Sequence, residues 1–309
     1  MTIFENVDSP KVDLLYKRND PNDVRLGEVV RVDRADYEAA NVVIIGCPQD
    51  EGVQRNKGRI GAAFAPDEIR RALYRLVMPN TANLALFDAG DTVIQATLEE
   101  THTVHSAIMQ QMIRDGKRII SLGGGNDVAY ADCAGLAHAN SDILAINVDA
   151  HFDVRADAVR NSGTPYRQLL EESLVQPEKF YEVGSMPMVN SATYQDYLQT
   201  KGAHIIDLAT LQASGITTIF SNILKNDTEA IFWGLDMDVV HVADAPGVSA
   251  PNSLGISAHD FCQIAAIAGR DYRSKIFEIT EVNPVYDIDS RTARLAAVAI
   301  HHFLANLVI

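Results

Sequence analysis

The segment Asp142-Ile-Leu-Ala-Ile-Asn-Val-Asp149-Ala-His151-Phe-Asp153-Val-Arg155 decides how this chain of 309 residues folds. Its first half, residues 142–148, is rich in aliphatic and β-branched side chains and is typical of a buried strand in a parallel sheet. The apolar run ends at Asp149, and alternate residues of an extended segment point the same way. The side chains of Asp149, His151 and Asp153 can therefore enter one small volume at the carboxyl end of the strand.

Charges of one sign are unfavourable in a small volume, because a buried carboxylate shifts its pKa and takes up a proton unless a cation neutralises it. A bound metal ion is the simplest resolution, and a solvated acidic loop is the alternative for this motif alone. A second segment, residues 230–235, is another buried-strand run, and it too ends in spaced acids, Asp236 and Asp238. Two strands that both end in this way favour a metal site.

The composition is ordinary for a globular protein with one large core, with 47% hydrophobic and 22% charged residues. Asp and Glu total 41 against 26 Lys and Arg, so the net charge is -15. Such a balance repels nucleic acid and anionic membranes, and neither is expected as a partner. No apolar run is long enough to span a bilayer, and the first residues lack a signal-peptide pattern. The three scattered cysteines are typical of reduced core residues in a cytoplasmic protein: Cys47, Cys133 and Cys262.

Strand-like and helix-like segments alternate from Asn41 onwards. This alternation predicts an α/β fold: one domain of three layers, α/β/α, with a mostly parallel sheet of about eight strands. Residues 1–38 are polar and are predicted to be an N-terminal extension on the outside of a domain that spans residues 39–309. The predicted strands are 42–46, 84–87, 118–122, 142–148, 180–183, 204–206, 230–235 and 275–279. The predicted helices lie near 66–74, 98–115, 128–138, 192–200, 259–268 and 292–307.

Five other segments fall at predicted strand ends, where sites form in parallel sheets. Gly123–Asp127 lacks the spacing of a nucleotide-binding loop and allows a close backbone approach instead. Residues 50–61 form either a surface loop or a substrate lid. Arg160–Arg167 carries two guanidinium groups, which favour an acidic substrate because arginine binds carboxylates through two hydrogen bonds. The last two segments are the rigid loop 245–251 and Glu281–Pro284, which ends the final strand with a carboxylate.

Together these motifs resemble the ureohydrolase superfamily, which includes arginase, agmatinase, guanidino-acid hydrolases and formimidoylglutamase. The matching segments run from about Val42 to Ala297 and keep the superfamily's order. Asn161–Gln168 and Ala245–Pro251 look most like formimidoylglutamases, which hydrolyse N-formimidoyl-L-glutamate to L-glutamate and formamide in histidine degradation. The resemblance implies an arginase-like fold, a hydrolase of linear amidines with a small acidic substrate, and a homo-oligomer, either a trimer or a hexamer.

The resemblance also implies two Mn²⁺ ions per subunit. Six residues match the superfamily's metal ligands: Asn126, Asp149, His151, Asp153, Asp236 and Asp238. Asp149 and Asp236 would bridge the ions, and the other ligands divide into two pairs, Asp153 with Asn126 and His151 with Asp238. An oxygen-rich set with one imidazole suits Mn²⁺ better than a thiolate-loving metal. In such a site the ions lower the pKa of a bridging water, and the resulting hydroxide attacks the amidine carbon.

The resemblance assigns roles to further side chains. Asp238 and Glu281 are the expected catalytic residues: Asp238 would hydrogen-bond the hydroxide, and Glu281 would hold the positively charged amidinium. The substrate's carboxylates would be bound by the segment that follows the central motif. The candidate substrate-binding residues there are Arg155, Arg160, Asn161, Ser162 and Arg167.

Two positions depart from the superfamily pattern. Asn126 stands where most members have histidine, and because a neutral amide oxygen is a weaker ligand, the ion at this position is expected to be weakly bound or partly occupied. Tyr166 stands where arginases place a proton-shuttling histidine, and a tyrosine with a pKa near ~10 is a poor shuttle at neutral pH. This argues against arginase itself. The alternatives are an agmatinase or guanidino-acid hydrolase with the same metals, and a metal-free pseudoenzyme that keeps the fold.

Overall fold

The computed structural model describes residues 3–309, so the first two residues of the predicted extension lie outside the described part. Within residues 3–309, nine strands form one sheet. They are β1 (Val7–Asp8), β2 (Val42–Gly46), β3 (Leu86–Thr92), β4 (Arg118–Leu122), β5 (Ile143–Val148), β6 (Phe180–Ser185), β7 (His204–Asp207), β8 (Ala230–Asp236) and β9 (Ser274–Thr280). Their order across the sheet is β1-β3-β2-β4-β9-β8-β5-β6-β7.

Eight of these strands, β2 to β9, pair in parallel and correspond to the eight predicted strands. The ninth, β1, lies at the edge of the sheet and pairs antiparallel with β3 through Val7 and Asp8. The sequence does not predict β1, because two residues are too few to show a strand periodicity. Residues 3–38 also bury Leu14 and Leu26 in the core. The division of the chain at residue 38 stays a prediction.

The helices are α1 (Leu26–Val29), α2 (Glu51–Arg55), α3 (Ala65–Leu73), α4 (Leu98–Arg114), α5 (Val128–Ala139), α6 (Pro165–Glu171), α7 (Ala192–Lys201), α8 (Leu208–Ser214), α9 (Ile216–Ile223), α10 (Ala258–Arg270) and α11 (Arg291–Ala305). The six predicted helices are present as α3, α4, α5, α7, α10 and α11. The other five span four to eight residues and are too short for helical periodicity to stand out. Among residues 3–309, none of the helices is long and apolar enough to cross a membrane.

Alternate strand residues supply two hydrophobic cores, one on each face of the sheet. On one face Ile44 and Trp233 pack with residues of α3, α8, α9, α10 and α11. On the other face Ile45 and Phe232 pack with residues of α4, α5, α6 and α7. The predicted three-layer α/β/α architecture is confirmed.

The strand register decides what meets at the carboxyl edge of the sheet. Val148 of β5 is paired with Leu235 of β8, which in turn is paired with Ile279 of β9. Since parallel strands in register end side by side, the next residues, Asp149 and Asp236, lie next to each other where both strands finish. The two acidic motifs, more than 80 positions apart in the chain, are thus brought together by strand pairing.

Candidate metal centre

A cavity of about 350 Å³ opens at the carboxyl edge of the sheet, between loops that follow β2, β5, β6, β8 and β9. Four carboxylates and one imidazole line it: His151, Asp153, Asp236, Asp238 and Glu281. Apart from Arg155, the other described lining residues are uncharged. The cavity is therefore strongly acidic.

Two groups of side chains beside this cavity have the spacing of metal ligands. One contains Asp149, His151 and Asp238, and the other contains Asp149, Asp153 and Asp236. Within each group the ligand atoms lie within 4.8 Å of one another. Asp149 belongs to both groups, as a bridging ligand would. The bridging role that the sequence predicts for Asp236 stays a prediction; this residue belongs to the second group, with Asp149 and Asp153.

The same local turn ends both ligand-bearing strands. After β5, Oδ1 of Asp149 accepts a hydrogen bond of 2.7 Å from the backbone N–H of His151. After β8, Oδ1 of Asp236 accepts one of 2.8 Å from the backbone N–H of Asp238. Each aspartate thus caps the turn that holds the next ligand beside it. Asp153 has a positive φ of 46°, an uncommon conformation for a residue other than glycine and one that clusters at functional sites.

The electrostatics of the centre favour a cation. Burial, reinforced by Asp238, raises the pKa of Asp149 to about 6. Burial and neighbouring carboxylates also hold the pKa values of Asp153 and Asp236 well above the usual range. Burial opposes protonation of His151, but the nearby carboxylates of Asp238 (3.0 Å) and Asp149 (3.5 Å) outweigh it and raise the pKa of the imidazole. Without a cation, these groups hold protons to limit their mutual repulsion.

Unpartnered buried atoms mark where the side chains could bind a ligand. Oδ1 of Asp238 and Oε2 of Glu281 are buried and have no hydrogen-bond partner among the described residues. Buried polar atoms are normally satisfied, so such atoms suggest an ion, a water or a substrate group. Carboxylate oxygens and one imidazole nitrogen are ligands that suit Mn²⁺. The residues present therefore fit a divalent metal centre.

Asn126 follows β4 and lies beside the second ligand group, but its amide nitrogen faces the carboxylates. Nδ2 donates hydrogen bonds to Oδ2 of Asp153 (2.7 Å) and Oδ2 of Asp149 (3.2 Å). Oδ1 accepts a hydrogen bond of 2.9 Å from the hydroxyl of Thr280. Because an amide N–H₂ group cannot ligate a cation, Asn126 would have to turn its amide to present Oδ1 to a metal.

Glu281 follows β9 and is buried against the backbone of Asn126. Its Oε1 accepts a hydrogen bond of 2.7 Å from the Asn126 N–H. Burial raises the pKa of Glu281 to about 8. Its φ is also positive, at 63°. One carboxylate oxygen is thus fixed by the backbone, and the other is free for a positively charged group in the cavity.

The predicted substrate-binding residues do not all lie at the cavity. Arg155 and Ser162 line it. Arg155 is half-exposed, and its Nε contacts Asp157 at 3.1 Å. Ser162 accepts a hydrogen bond of 3.0 Å from Nδ2 of Asn56, which lines the cavity as well. Asn161 is buried and shapes the loop instead, because its Oδ1 accepts from the N–H of Gly163 and its Nδ2 donates to Asp157.

Arg160 and Arg167 point elsewhere. The guanidinium of Arg160 stacks over the ring of Tyr130 at 4.0 Å, and that of Arg167 stacks over Tyr197 at 4.1 Å. Neither residue lines the cavity, because the loop after Asp153 turns their side chains towards α5 and α7. Tyr166 is also remote from solvent: it is fully buried and stacks on Phe180 with ring centroids 5.0 Å apart. It is a core residue.

Three other residues that line the cavity were not predicted from the sequence. Asn190, Tyr194 and Ser249 line the cavity but belong to none of the predicted sets. Ser249 lies within the loop 245–251, so this motif could have indicated it as a site residue. Asn190 and Tyr194 follow β6 in a segment without a motif, and only the folded chain brings them to the site.

The fold and the two candidate ligand groups define a ureohydrolase architecture. The chain belongs to the arginase family, whose family model matches residues 40–305. The family predicted from the motifs is confirmed.

The individual relatives point to one kind of enzyme within this family, the formimidoylglutamases. The chain is 33% identical over 282 residues to a formimidoylglutamase of Rhodococcus jostii, covering 87% of each chain. It is 36% identical over 271 residues to a formimidoylglutamase of Staphylococcus aureus, covering 86% of each. Among solved structures, a Trypanosoma cruzi formiminoglutamase with Mn²⁺ superimposes with a TM-score of 0.86 at 32% identity, covering 92% of this chain and 98% of the other.

Proposed function

We propose that this protein hydrolyses the amidine C–N bond of N-formimidoyl-L-glutamate at a binuclear manganese centre, giving L-glutamate and formamide. The observation that carries the proposal is the buried Asp149, shared by two ligand groups at one end of an acidic cavity. The similarity to formimidoylglutamases over most of the chain supports the choice of substrate.

The proposed metal ligands are the two groups that share Asp149. Asp149, His151 and Asp238 would hold one ion, and Asp149, Asp153 and Asp236 the other. Asn126 would complete the second ion only after its amide turns, so this ion is expected to bind more weakly. When bound, the metal pair lowers the pKa of a water so that it is a nucleophile at neutral pH.

The protein's own carboxylates would bind and orient the reactants. The unpartnered Oδ1 of Asp238 can accept a hydrogen bond from the attacking water. The free Oε2 of Glu281 can accept an N–H of the amidinium, whose positive charge favours the ionised form of this carboxylate. Attack on the amidine carbon forms a C–O bond, and the C–N bond to the glutamate nitrogen then breaks. That nitrogen takes up a proton and leaves as the amine of glutamate.

The substrate's carboxylates require a cationic partner. Among the described residues that line the cavity there is one arginine, Arg155, and no lysine. Ser162 and Asn56 lie on the same side, linked by their hydrogen bond. We assign carboxylate binding to Arg155, with Ser162 beside it. Agmatine has no carboxylate and would leave this guanidinium without a role.

The test measures release of glutamate and formamide from N-formimidoyl-L-glutamate by protein stripped of metal, before and after addition of Mn²⁺. We expect activity only after Mn²⁺ is added, with little turnover of agmatine. Faster hydrolysis of agmatine or a guanidino acid would replace the substrate proposed here. Absence of Mn²⁺ binding under all conditions would favour a metal-free pseudoenzyme. A trimer or hexamer and a cytoplasmic location stay predictions.

A further inference from the structure

Asn190 lies between β6 and α7 and contacts the backbone of the metal-ligand loop after β5. Its Oδ1 accepts a hydrogen bond of 2.9 Å from the N–H of Phe152, and its Nδ2 donates one of 2.8 Å to the carbonyl of Ala150. Nδ2 also donates to the carbonyl of Met186 at 3.0 Å. The amide therefore brackets His151, the residue between its two partners on the loop.

These contacts leave the Asn190 amide little capacity for anything else. An amide group offers two N–H donors and one carbonyl oxygen, and both donors and the oxygen are engaged with backbone atoms. Although Asn190 lines the cavity, its donors are not free to bind a substrate. Its contacts instead fix the loop on which metal ligands alternate: Asp149, His151 and Asp153.

Local hydrogen bonds alone do not define this loop. The N–H of His151 is held by Asp149 within the loop itself, but the next N–H, that of Phe152, is held only from outside, by Asn190. The backbone N–H of Met186 adds a parallel bond to the carbonyl of Ala150. Beyond Phe152 the chain enters the left-handed conformation of Asp153. Asn190 thus holds the backbone of Phe152, the residue directly before Asp153, by a hydrogen bond.

We propose that Asn190 is a positioning residue for the metal centre, which holds His151 and Asp153 in the geometry for ligation. The inference rests on the metal centre of the proposed function. Partners that orient metal ligands from the second layer contribute roughly 10- to 100-fold to metal affinity. Replacing Asn190 should therefore weaken Mn²⁺ binding by about this factor without unfolding the chain.

Asn41 provides a matched control. Its Oδ1 accepts a hydrogen bond of 3.0 Å from the N–H of Ala85, and its Nδ2 donates one of 2.7 Å to the carbonyl of Asn83. It brackets Leu84 as Asn190 brackets His151, and both asparagines are partly buried. Asn41 precedes β2 at the amino end of the sheet, opposite the metal centre.

The experiment measures Mn²⁺ binding by electron paramagnetic resonance for the wild type, Asn190→Ala, Asn190→Asp and Asn41→Ala. All four are stripped with chelator and compared by circular dichroism first. Asn190→Ala should bind Mn²⁺ about 10- to 100-fold more weakly than the wild type. Asn190→Asp keeps the acceptor for Phe152 but turns a carboxylate oxygen towards the carbonyls of Ala150 and Met186, so it should also bind Mn²⁺ more weakly than the wild type. Asn41→Ala should lower the thermal midpoint and leave Mn²⁺ affinity within about twofold.

Three outcomes would overturn the inference. The first is wild-type affinity in the Asn190 variants, and the second is an equal loss in Asn41→Ala, which would indicate general loosening. The third is a wild type that binds no Mn²⁺, which refutes the metal centre itself and is distinguished by the absence of a signal change in every variant. If Asn190→Ala does not fold, Asn190→Asp decides between the first two.

Discussion

Nδ2 of Asn126 donates a 2.7 Å hydrogen bond to Oδ2 of Asp153, so an amide N–H₂ group lies where a second cation would contact this carboxylate. The partial positive charge of the amide offsets part of the repulsion among the buried carboxylates. Thr280 holds the opposite end of the amide. Metal binding at this position therefore competes with an existing set of hydrogen bonds.

Replacing Asn126 with histidine should strengthen binding of the second ion, because a neutral imidazole nitrogen ligates Mn²⁺ directly and needs no amide rotation. We expect calorimetric titration to show one tight site in the wild type and two in Asn126→His. Asn126→Ala, which removes the competing amide without adding a ligand, is the control. Equal stoichiometry and affinity in all three proteins would show that the amide does not limit loading.

Arg155→Ala should lower kcat/KM for N-formimidoyl-L-glutamate by about 10- to 100-fold, since a charge-assisted hydrogen bond to a carboxylate contributes roughly 1.5–3 kcal/mol. The loss should fall mainly on KM, because the carboxylates of the substrate take no part in the bond changes. Steady-state kinetics on the Mn²⁺-loaded enzyme measures it.

Arg167→Ala is the matched control for Arg155, since it removes an arginine of the same loop that stacks on Tyr197. It should keep KM within about twofold of the wild type. If Arg167→Ala raised KM as much as Arg155→Ala does, Arg167 would again be a candidate for binding the substrate carboxylate.

The metal-free protein should lose stability as pH rises from about 5 to 9. Burial raises the folded-state pKa of Asp149 to about 6 and that of Glu281 to about 8, whereas both are near ~4 in an unfolded chain. The folded state binds these protons more tightly, so their contribution is complete below pH ~4 and is lost as pH rises through the folded values. Thermal midpoints across this range measure the effect.

Mn²⁺ should reverse this trend, because the cation replaces the protons as the neutralising charge. The rise in thermal midpoint on adding Mn²⁺ should therefore grow with pH, reaching several degrees at pH 8 to 9. Glu281→Gln removes one titrating group and should flatten the metal-free curve. A metal-free midpoint that climbs over the same range contradicts the assignment.

Arg70→Met should destabilise the fold by about 3–5 kcal/mol, because it leaves a buried carboxylate without its cation. Arg70 and Asp88 are both fully buried and joined by two hydrogen bonds of 2.8 and 3.0 Å. Urea unfolding measures the change in the free energy of unfolding. Lys11→Met breaks a surface ion pair with Asp67 and should cost less than about 1 kcal/mol. A smaller loss in Arg70→Met than in Lys11→Met would refute the argument.

The sequence predicts the sheet well because buried parallel strands are largely apolar runs, as in residues 142–148, and most of the eight parallel strands carry this signal. It also indicates the ligands at their ends. The sequence could not decide among Arg155, Arg160 and Arg167, because the direction of each side chain depends on the turn that follows Asp153, where φ is positive. Asn190 leaves no signal at all, since its role depends on backbone atoms of a distant loop.

Strand pairing between β5 and β8 imposes a limit on how this sequence can change. A one-residue deletion inside either strand would reverse which side of the sheet every following side chain occupies, and would carry Asp149 or Asp236 away from its partner. Loop insertions beyond Asp153 or Asp238 do not change which side of the sheet each strand residue occupies. The length of these two strands is therefore as much a part of the metal centre as the identity of its ligands.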